Sequence, residues 1–293
     1  SGGVQYRAQV AAGLQGIDGS PLQSDYTWQF TTARPQVLSV FPQDGEQQVG
    51  VERSISVQLN QPVAQASAEA GFHLRSANGD VPGALQALGD TLIFTPSQRL
   101  AFDADYLVVL DAGLGASAGG AGLPSEFRSS FRSVPLPRLL GSLPADGDQA
   151  ASPYTDFALF FNAPIDPDTV MANLRMTPPL SPTLVYTYSG QVYPGDPSVP
   201  AGAAFTFHLS FGAQPSSDYR VEVSPGIADP YGNRTAESLD VRFRTAALPP
   251  YSQLVMPEYV ATYSGIGPAR IGISSVNMDS ADLTLYRLPI DTL

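Results

Sequence analysis

The stretch QVLSVFPQDG (residues 36–45) recurs as RLLGSLPADG (residues 138–147), and this internal repeat decides the fold. The repeat continues in register, because ISVQLNQPV (residues 55–63) is matched by FALFFNAPI (residues 157–165). In both copies the same number of residues separates the proline of the first segment from the asparagine of the second. Equal spacing without gaps indicates that the two copies share one structure.

The end of the repeat occurs three times, as YRAQVAAGL, YLVVLDAGL and YRVEVSPGI, which begin at Tyr6, Tyr106 and Tyr219. Each of these segments passes through a Gly-containing stretch and then reaches a closing strand, of which YTWQFTT (residues 26–32) is the first. The chain therefore holds the tail of one repeat, two full repeats and a different C-terminal stretch.

These observations predict four parts, separated by prolines that stiffen each link and stop strands from running on. The predicted parts are residues 1–34, the C-terminal remnant of a first repeat; residues 35–135, a full repeat; residues 136–248, a second full repeat with an insertion near residues 186–202; and residues 249–293, the start of a further β domain. We expect successive parts to form an elongated array.

Period-2 alternation of apolar and polar residues dominates each full repeat, as in residues 55–59 and 157–161. Such alternation predicts half-buried strands, and about seven of them in roughly 100 residues predict a two-sheet antiparallel sandwich. The fold class is therefore all-β, with tandem immunoglobulin-like β-sandwiches. Trp28 alternates with two other aromatic residues, which predicts a core position. Short helical turns are expected near residues 64–70 and 166–173.

Composition excludes several classes of function. The chain has no Cys, so it offers neither a thiolate nucleophile nor a Cys-ligated zinc site. Its formal net charge of −12 repels phosphate, so neither nucleic acid nor an anionic membrane is an expected partner. No apolar run is long enough to predict a transmembrane segment. The first residues lack Met and a signal-peptide pattern, so we expect a fragment of a longer protein.

Catalytic chemistry is not predicted. The two histidines, His73 and His208, lie on strands of different repeats, whereas a triad needs its members within hydrogen-bond reach of one another. Both are interpreted as surface or rim residues. No nucleophile-elbow, zinc-protease or phosphate-loop motif occurs, so we predict a protein that is not an enzyme, with no catalytic residue and no cofactor.

Two acidic loops are candidate calcium ligands. One contains Asp146 and Asp148, and the other contains Asp166 and Asp168. Closely spaced carboxylates in a loop suit Ca²⁺, which takes six to eight oxygen ligands. Neither loop has the spacing of an EF-hand, and Asp is also a common turn and cap residue. The capping interpretation is therefore preferred, and no metal ligand is assigned.

Tyrosines gather in the predicted insertion of the second full repeat. Tyr186, Tyr188 and Tyr193 lie there, and Tyr154 and Tyr231 lie elsewhere in the same repeat. Exposed Tyr clusters bind glycans or protein partners, although they also cover the edges of sandwiches. The first three are the candidate contact residues for a ligand or partner.

The repeat resembles the bacterial SbsA-like immunoglobulin domain. The shared pattern is a P-x-x-G opening, a strand ending in N-x-P-[VI], then L-x-F-x-P (residues 92–96), a D-Y-x-V strand (residues 105–108) and a final F-x-T. The second full repeat departs from it, because residues 205–209 are not followed by the proline. The resemblance implies the fold and a location outside the cell or in the bacterial envelope, at the surface or in the periplasm.

The C-terminal stretch ARIGISSVNMDSADLTLYRL (residues 269–288) resembles the first strands of a macroglobulin domain in bacterial α2-macroglobulin-like proteins. This resemblance implies a spacer and interaction array within a protease-trapping parent protein, whose partners are proteins and proteases. The thioester motif of that family needs a Cys and is absent from this sequence. Two alternatives stay open: a surface-layer or adhesin stalk, and a carbohydrate-binding module that uses the Tyr-rich insertion.

Overall fold

The computed structural model describes residues 2–181, 185–193, 195–255, 266, 271–284 and 286. The chain divides into two compact units, residues 1–136 and 137–293. Regular structure in the described ranges is mostly β, and its sheets are mostly antiparallel, so the predicted fold class is confirmed.

A two-stranded hairpin begins the chain. Strand β1 (Gln5–Val10) pairs antiparallel with β2 (Tyr26–Thr31). The predicted alternation is present, and Trp28, predicted as a core residue of the truncated first repeat, is 43% exposed in this chain. No second sheet covers this hairpin among the residues that the structure describes.

The first full repeat is a sandwich of two sheets. Its strands and helix are β3 (Val37–Phe41), β4 (Glu46–Val49), β5 (Ile55–Leu59), α1 (Gln65–Gly71), β6 (Phe72–Ser76), β7 (Gly79–Asp80), β8 (Gly83–Leu88), β9 (Thr91–Pro96), β10 (Asp105–Leu110) and β11 (Phe127–Ser133). One sheet has the order β3-β5-β9-β8 and the other β4-β11-β10-β6-β7, in which β4 pairs parallel with β11. Ile55, Val57 and Leu59 are fully buried, whereas Gln58 is exposed, as alternation predicts.

The second full repeat has the same plan. Its strands and helix are β12 (Leu139–Leu143), β13 (Phe157–Phe161), α2 (Pro167–Asn173), β14 (Leu174–Thr177), β15 (Tyr186–Gln191), β16 (Phe205–Ser210), β17 (Asp218–Val223) and β18 (Leu239–Arg244). The sheets have the orders β12-β13-β16-β15 and β14-β17-β18. Phe157 and Phe243 meet between the sheets, with ring centroids 6.1 Å apart, in a core of aromatic and aliphatic side chains.

Strand β13 departs from the prediction of a half-buried strand. Phe157, Leu159 and Phe161 face the core, yet Ala158 and Phe160 on the opposite face are also buried. Strand β13 is therefore buried on both faces, and Pro200 of the loop after β15 lies close to Gly141, the strand partner of Phe160.

Both helices lie where short helical turns were expected. Asp166 is the N-cap of α2, and its carboxylate accepts a hydrogen bond from the Asp168 backbone N–H at 3.1 Å. Pro167 follows at the first helical position, where a missing N–H costs nothing. Helix α1 follows Ala64 and has no side-chain cap.

A second two-stranded pair lies near the C terminus. Strand β19 (Tyr251–Val255) pairs antiparallel with β20 (Gly272–Val276). Of the macroglobulin-like stretch (residues 269–288), residues 271–284 and 286 are described, and residues 269, 270, 285, 287 and 288 lie outside the described residues. Among the described residues, no helix is both long and apolar enough to span a membrane.

Candidate functional site

The outer face of the four-stranded sheet differs between the two repeats. Strand β15 pairs with β16 as β8 pairs with β9, so the predicted insertion begins with a regular strand. Tyr188 opposite His208 therefore takes the place that Gln86 opposite Ile93 has in the first repeat. By the same register, Tyr186 takes the place of an alanine. The second repeat thus carries an aromatic outer face where the first carries a mixed one.

Tyr188 is the centre of this face. Its ring lies parallel to the His208 ring, with centroids 4.4 Å apart and an interplanar angle of 3°. Its hydroxyl donates a hydrogen bond of 3.0 Å to the Asp156 carboxylate. Partial burial raises the pKa of Tyr188, and the hydrogen bond to Asp156 raises it further, so the phenol stays protonated.

His208 is held in one orientation. The Thr206 hydroxyl donates to the Leu159 carbonyl at 3.2 Å and lies 3.2 Å from His208 Nε2. Burial lowers the pKa of His208, and the Asp156 carboxylate opposes the shift. The lowered pKa favours the neutral imidazole near pH 7.

Tyr186 extends the face. Its ring centroid lies 6.0 Å from that of Tyr188, and most of its side chain is exposed. Asp156, Tyr186, Tyr188 and His208 together are called the tyrosine face. Tyr193 is exposed and makes no ring contact with these residues in the part of the chain that is described.

Two further tyrosines do not join this set. Tyr154 is exposed, and its backbone N–H bonds to the Ser152 hydroxyl. Tyr231 lies in a turn, where its N–H donates to the Asp229 carboxylate. The sequence pointed to Tyr186 and Tyr188 but not to Asp156 and His208, because only the strand register brings these four together.

The loop that follows β15 approaches the outer face at β12. Val192 and Ala204 are joined by a backbone hydrogen bond of 3.0 Å, which closes the loop. A Cβ placed on Gly141 would lie 3.4 Å from Pro200 Cγ, so the loop contacts β12 there. Phe160, which pairs with Gly141, is 4% exposed.

The acidic loops hold the backbone. Asp146 accepts from the Arg242 backbone N–H at 2.8 Å, and Asp148 accepts from the Ala150 N–H at 2.9 Å. Asp44 in the first repeat likewise accepts from the Ser130 N–H at 2.8 Å, and that bond lowers the pKa of Asp44. The described residues contain no group of three or more His, Asp or Glu side chains arranged to hold a metal ion. Through these hydrogen bonds Asp146 and Asp148 hold the turn that contains them, and Asp166 caps α2.

His73 lies on strand β6 of the first repeat. Its two ring nitrogens are each 3.5 Å from a carboxylate, Asp80 on one side and Asp111 on the other. His208 lies in the other compact unit, on a different sheet. The two histidines therefore have different polar contacts, in separate units of the chain.

An asparagine closes the same strand in both repeats. Asn60 accepts from the Gln36 N–H and donates to the Arg34 carbonyl, both at 3.0 Å. Asn162 accepts from the Arg138 N–H at 2.6 Å. In each repeat, the bonds of this asparagine tie the end of the strand to the segment that enters the repeat. They are called the asparagine clamps.

The profile of the bacterial Ig-like domain family matches residues 33–133 and 135–245. These two matches cover most of the chain, and each covers one full repeat. A search of curated proteins finds no match.

A structure comparison matches several solved structures. The N-terminal part of the bacterial S-layer protein SbsC matches with a TM-score of 0.28 and 12% identity, over 72% of this chain and 44% of that chain. The MG0-NIE-MG1 region of Escherichia coli α2-macroglobulin matches at 0.29 and 12%, over 75% and 74%. L,D-transpeptidase 3 of Mycobacterium tuberculosis matches at 0.26 and 14%, over 72% and 89%. The chain spans less than half of the S-layer structure, and at these TM-scores the likenesses carry no argument.

Proposed function

This chain belongs to the bacterial Ig-like domain family, and on that premise we propose that it is a non-catalytic spacer and interaction segment of a larger bacterial protein. Its location is extracellular or in the cell envelope. The family match supports the fold and the bacterial setting, and the use of polar residues supports the spacer role.

One observation carries the proposal: the polar residues that the two repeats share hold the backbone together. Asn60 and Asn162 clamp the start of each repeat. Asp44 and Asp146 bond to the backbone of the last long strand. Side chains that satisfy backbone groups at turns and strand ends have a structural role, which is the role that a spacer requires. The shared residues thus stabilise each sandwich, and recognition is left to residues that differ between the repeats.

Deletion or replacement of the two repeats tests this proposal. In the parent protein on the bacterial surface, residues 35–248 are deleted, or replaced by two Ig-like domains of unrelated sequence. Antibody labelling of a tag placed C-terminal to residue 293 reports how accessible the following segment is. A spacer predicts lower labelling after deletion and recovery with the unrelated pair. Failure of the unrelated pair to restore labelling, when it is expressed and folded, contradicts a spacer role.

We propose further that the parent is an α2-macroglobulin-like protease trap. The support is the sequence of residues 269–288, which resembles the first strands of a macroglobulin domain. The reading frame beyond Leu293 tests this point. Further macroglobulin repeats and a C-x-E-Q thioester motif agree with a trap. More copies of the Asn-x-Pro repeat make the parent a surface-layer or adhesin stalk instead.

A second candidate function is carbohydrate binding by the tyrosine face. Tyr186 and Tyr188 present exposed rings side by side, and flat aromatic rings suit the apolar faces of hexose rings. The Asp156 carboxylate next to them has acceptor capacity for sugar hydroxyls. The first repeat lacks these rings at the same positions, so binding is expected in the second repeat only.

A glycan array tests this candidate. The wild-type chain is compared with Tyr186→Ala and Tyr188→Ala, and Gln86→Ala at the equivalent place of the first repeat is the matched control. Binding that both Tyr variants lose and the control keeps agrees with a glycan site. Absence of binding at millimolar glycan rejects it.

A further inference from the structure

The N-terminal hairpin has the internal structure of the closing hairpin in each full repeat. Each of the three has a stacked Tyr–Phe pair at the same register position. The pairs and their ring-centroid distances are Tyr6 and Phe30 at 5.5 Å, Tyr106 and Phe131 at 5.3 Å, and Tyr219 and Phe243 at 5.4 Å. The interplanar angles are 19°, 18° and 21°.

The base of the hairpin is also the same in all three. A hydroxyl two residues after the Phe accepts from the backbone N–H two residues before the Tyr. These hydrogen bonds join Val4 to Thr32 at 3.0 Å, Ala104 to Ser133 at 3.0 Å, and Ser217 to Thr245 at 2.9 Å.

The far end repeats a third set of bonds. A glycine seven residues after the Tyr donates its N–H across the loop. These bonds run from Gly13 to Leu22 at 2.8 Å, from Gly113 to Leu123 at 2.8 Å, and from Gly226 to Thr235 at 2.9 Å. The three hairpins therefore have the same internal structure.

Only burial separates the first hairpin from the other two. Tyr106 and Phe131 are 4% and 2% exposed, whereas Tyr6 and Phe30 are 41% and 49% exposed. Trp28 shares their face, because it lies between Phe30 and Tyr26 in the alternation of β2. On this face the hairpin exposes a row of aromatic rings, while Gln5, Arg7, Gln9, Thr27, Gln29 and Thr31 line the opposite face.

What covers this face in the full repeats is the four-stranded sheet, as the contact of Phe157 with Phe243 illustrates. In each repeat that sheet comes from the residues immediately before the closing hairpin; in the first repeat it spans residues 37–96. We infer that the aromatic face of β1–β2 is the inner face of a third Ig-like sandwich. Its occupant is a four-stranded sheet with an apolar inner face, supplied by the same polypeptide ahead of the hairpin.

Trp28 is the only Trp of the 293-residue chain, so its fluorescence reports on this face alone. The experiment compares this chain with the natural polypeptide extended toward its N terminus by one repeat length. A covered face predicts emission at shorter wavelength and several-fold weaker acrylamide quenching in the extended protein. Any additional Trp in the extension is replaced by Phe.

Two variants of neighbouring residues make the test independent of the probe. In the extended protein, Phe30→Asp on the aromatic face should greatly increase proteolysis of the hairpin, and Gln29→Asp on the opposite face should not. In the 293-residue chain the two variants should behave alike.

Equal quenching of Trp28 in both proteins, with equal effects of the two Asp variants, overturns the inference. Protection of Trp28 that is present in the 293-residue chain and lost on dilution also overturns it, because the occupant is then a second copy.

Discussion

Strands β5 and β13 hold the same place in two copies of one sandwich, yet they are covered differently. In β5, Gln58 points outward and is exposed. In β13, Phe160 takes that position and is buried, and Pro200 of the loop after β15 lies close to its strand partner Gly141. The inner faces are alike in both strands. The two repeats therefore share their core and their backbone bonds but differ on the outer face of one sheet. In the second repeat that face carries a buried aromatic residue and exposed tyrosines.

The largest expected effect separates these two strands. Phe160→Ala removes a buried aromatic ring and should lower the free energy of unfolding by about 3–5 kcal/mol. Gln58→Ala, the matched change, should stay within about 0.5 kcal/mol. Urea unfolding followed by circular dichroism measures both, and hydrogen exchange of β13 peptides assigns the loss to the second repeat. Equal effects of the two substitutions contradict a covered outer face.

A smaller effect should be common to both repeats. Asn60→Ala and Asn162→Ala each remove an asparagine clamp and should cost about 1 kcal/mol. The change should be similar at the two sites because the clamp belongs to the shared framework. Asn78→Ala, at an exposed turn, is the control and should leave the unfolding midpoint in urea unchanged. A loss confined to one repeat shows that the clamps are not equivalent.

The smallest effect is a pH dependence of the second repeat. Burial lowers the pKa of His208 in the folded protein, so the unfolded chain binds its proton more tightly. The stabilising contribution is therefore present above the unfolded value of about 6.5 and is lost as pH falls through it toward the lower folded value. His208→Gln should flatten this part of the stability profile. An unchanged slope in thermal melts between pH 7 and pH 5 contradicts the assignment.

The sequence predicts the framework well, because the framework rests on local signals. Alternation located the strands, and Asp166 followed by Pro167 marked the start of α2. The same signals do not tell what covers Trp28 or Phe160, of which the first is exposed and the second is buried. Alternation tells which residues share a face, whereas the cover of that face comes from other segments of the polypeptide.

The candidate site was predictable only in part for a related reason. Tyr186 and Tyr188 stand out by residue type, whereas Asp156 and His208 are ordinary residues on other segments. Their contact with Tyr188 follows from the pairing register of β15 with β16, which the sequence does not state.

The asparagine clamps also bear on how a repeat responds to mechanical tension. Tension along the chain enters the first repeat just before β3, where Asn60 bonds to the backbone of residues 34 and 36. It leaves through β11, which belongs to the other sheet. The clamp and the ladder between β3 and β5 then bear the load before the hydrophobic core is sheared. Each repeat thus has the hydrogen bonds of its asparagine clamp at the point where tension enters. We expect these bonds to break first under extension, and the hydrophobic core to separate last.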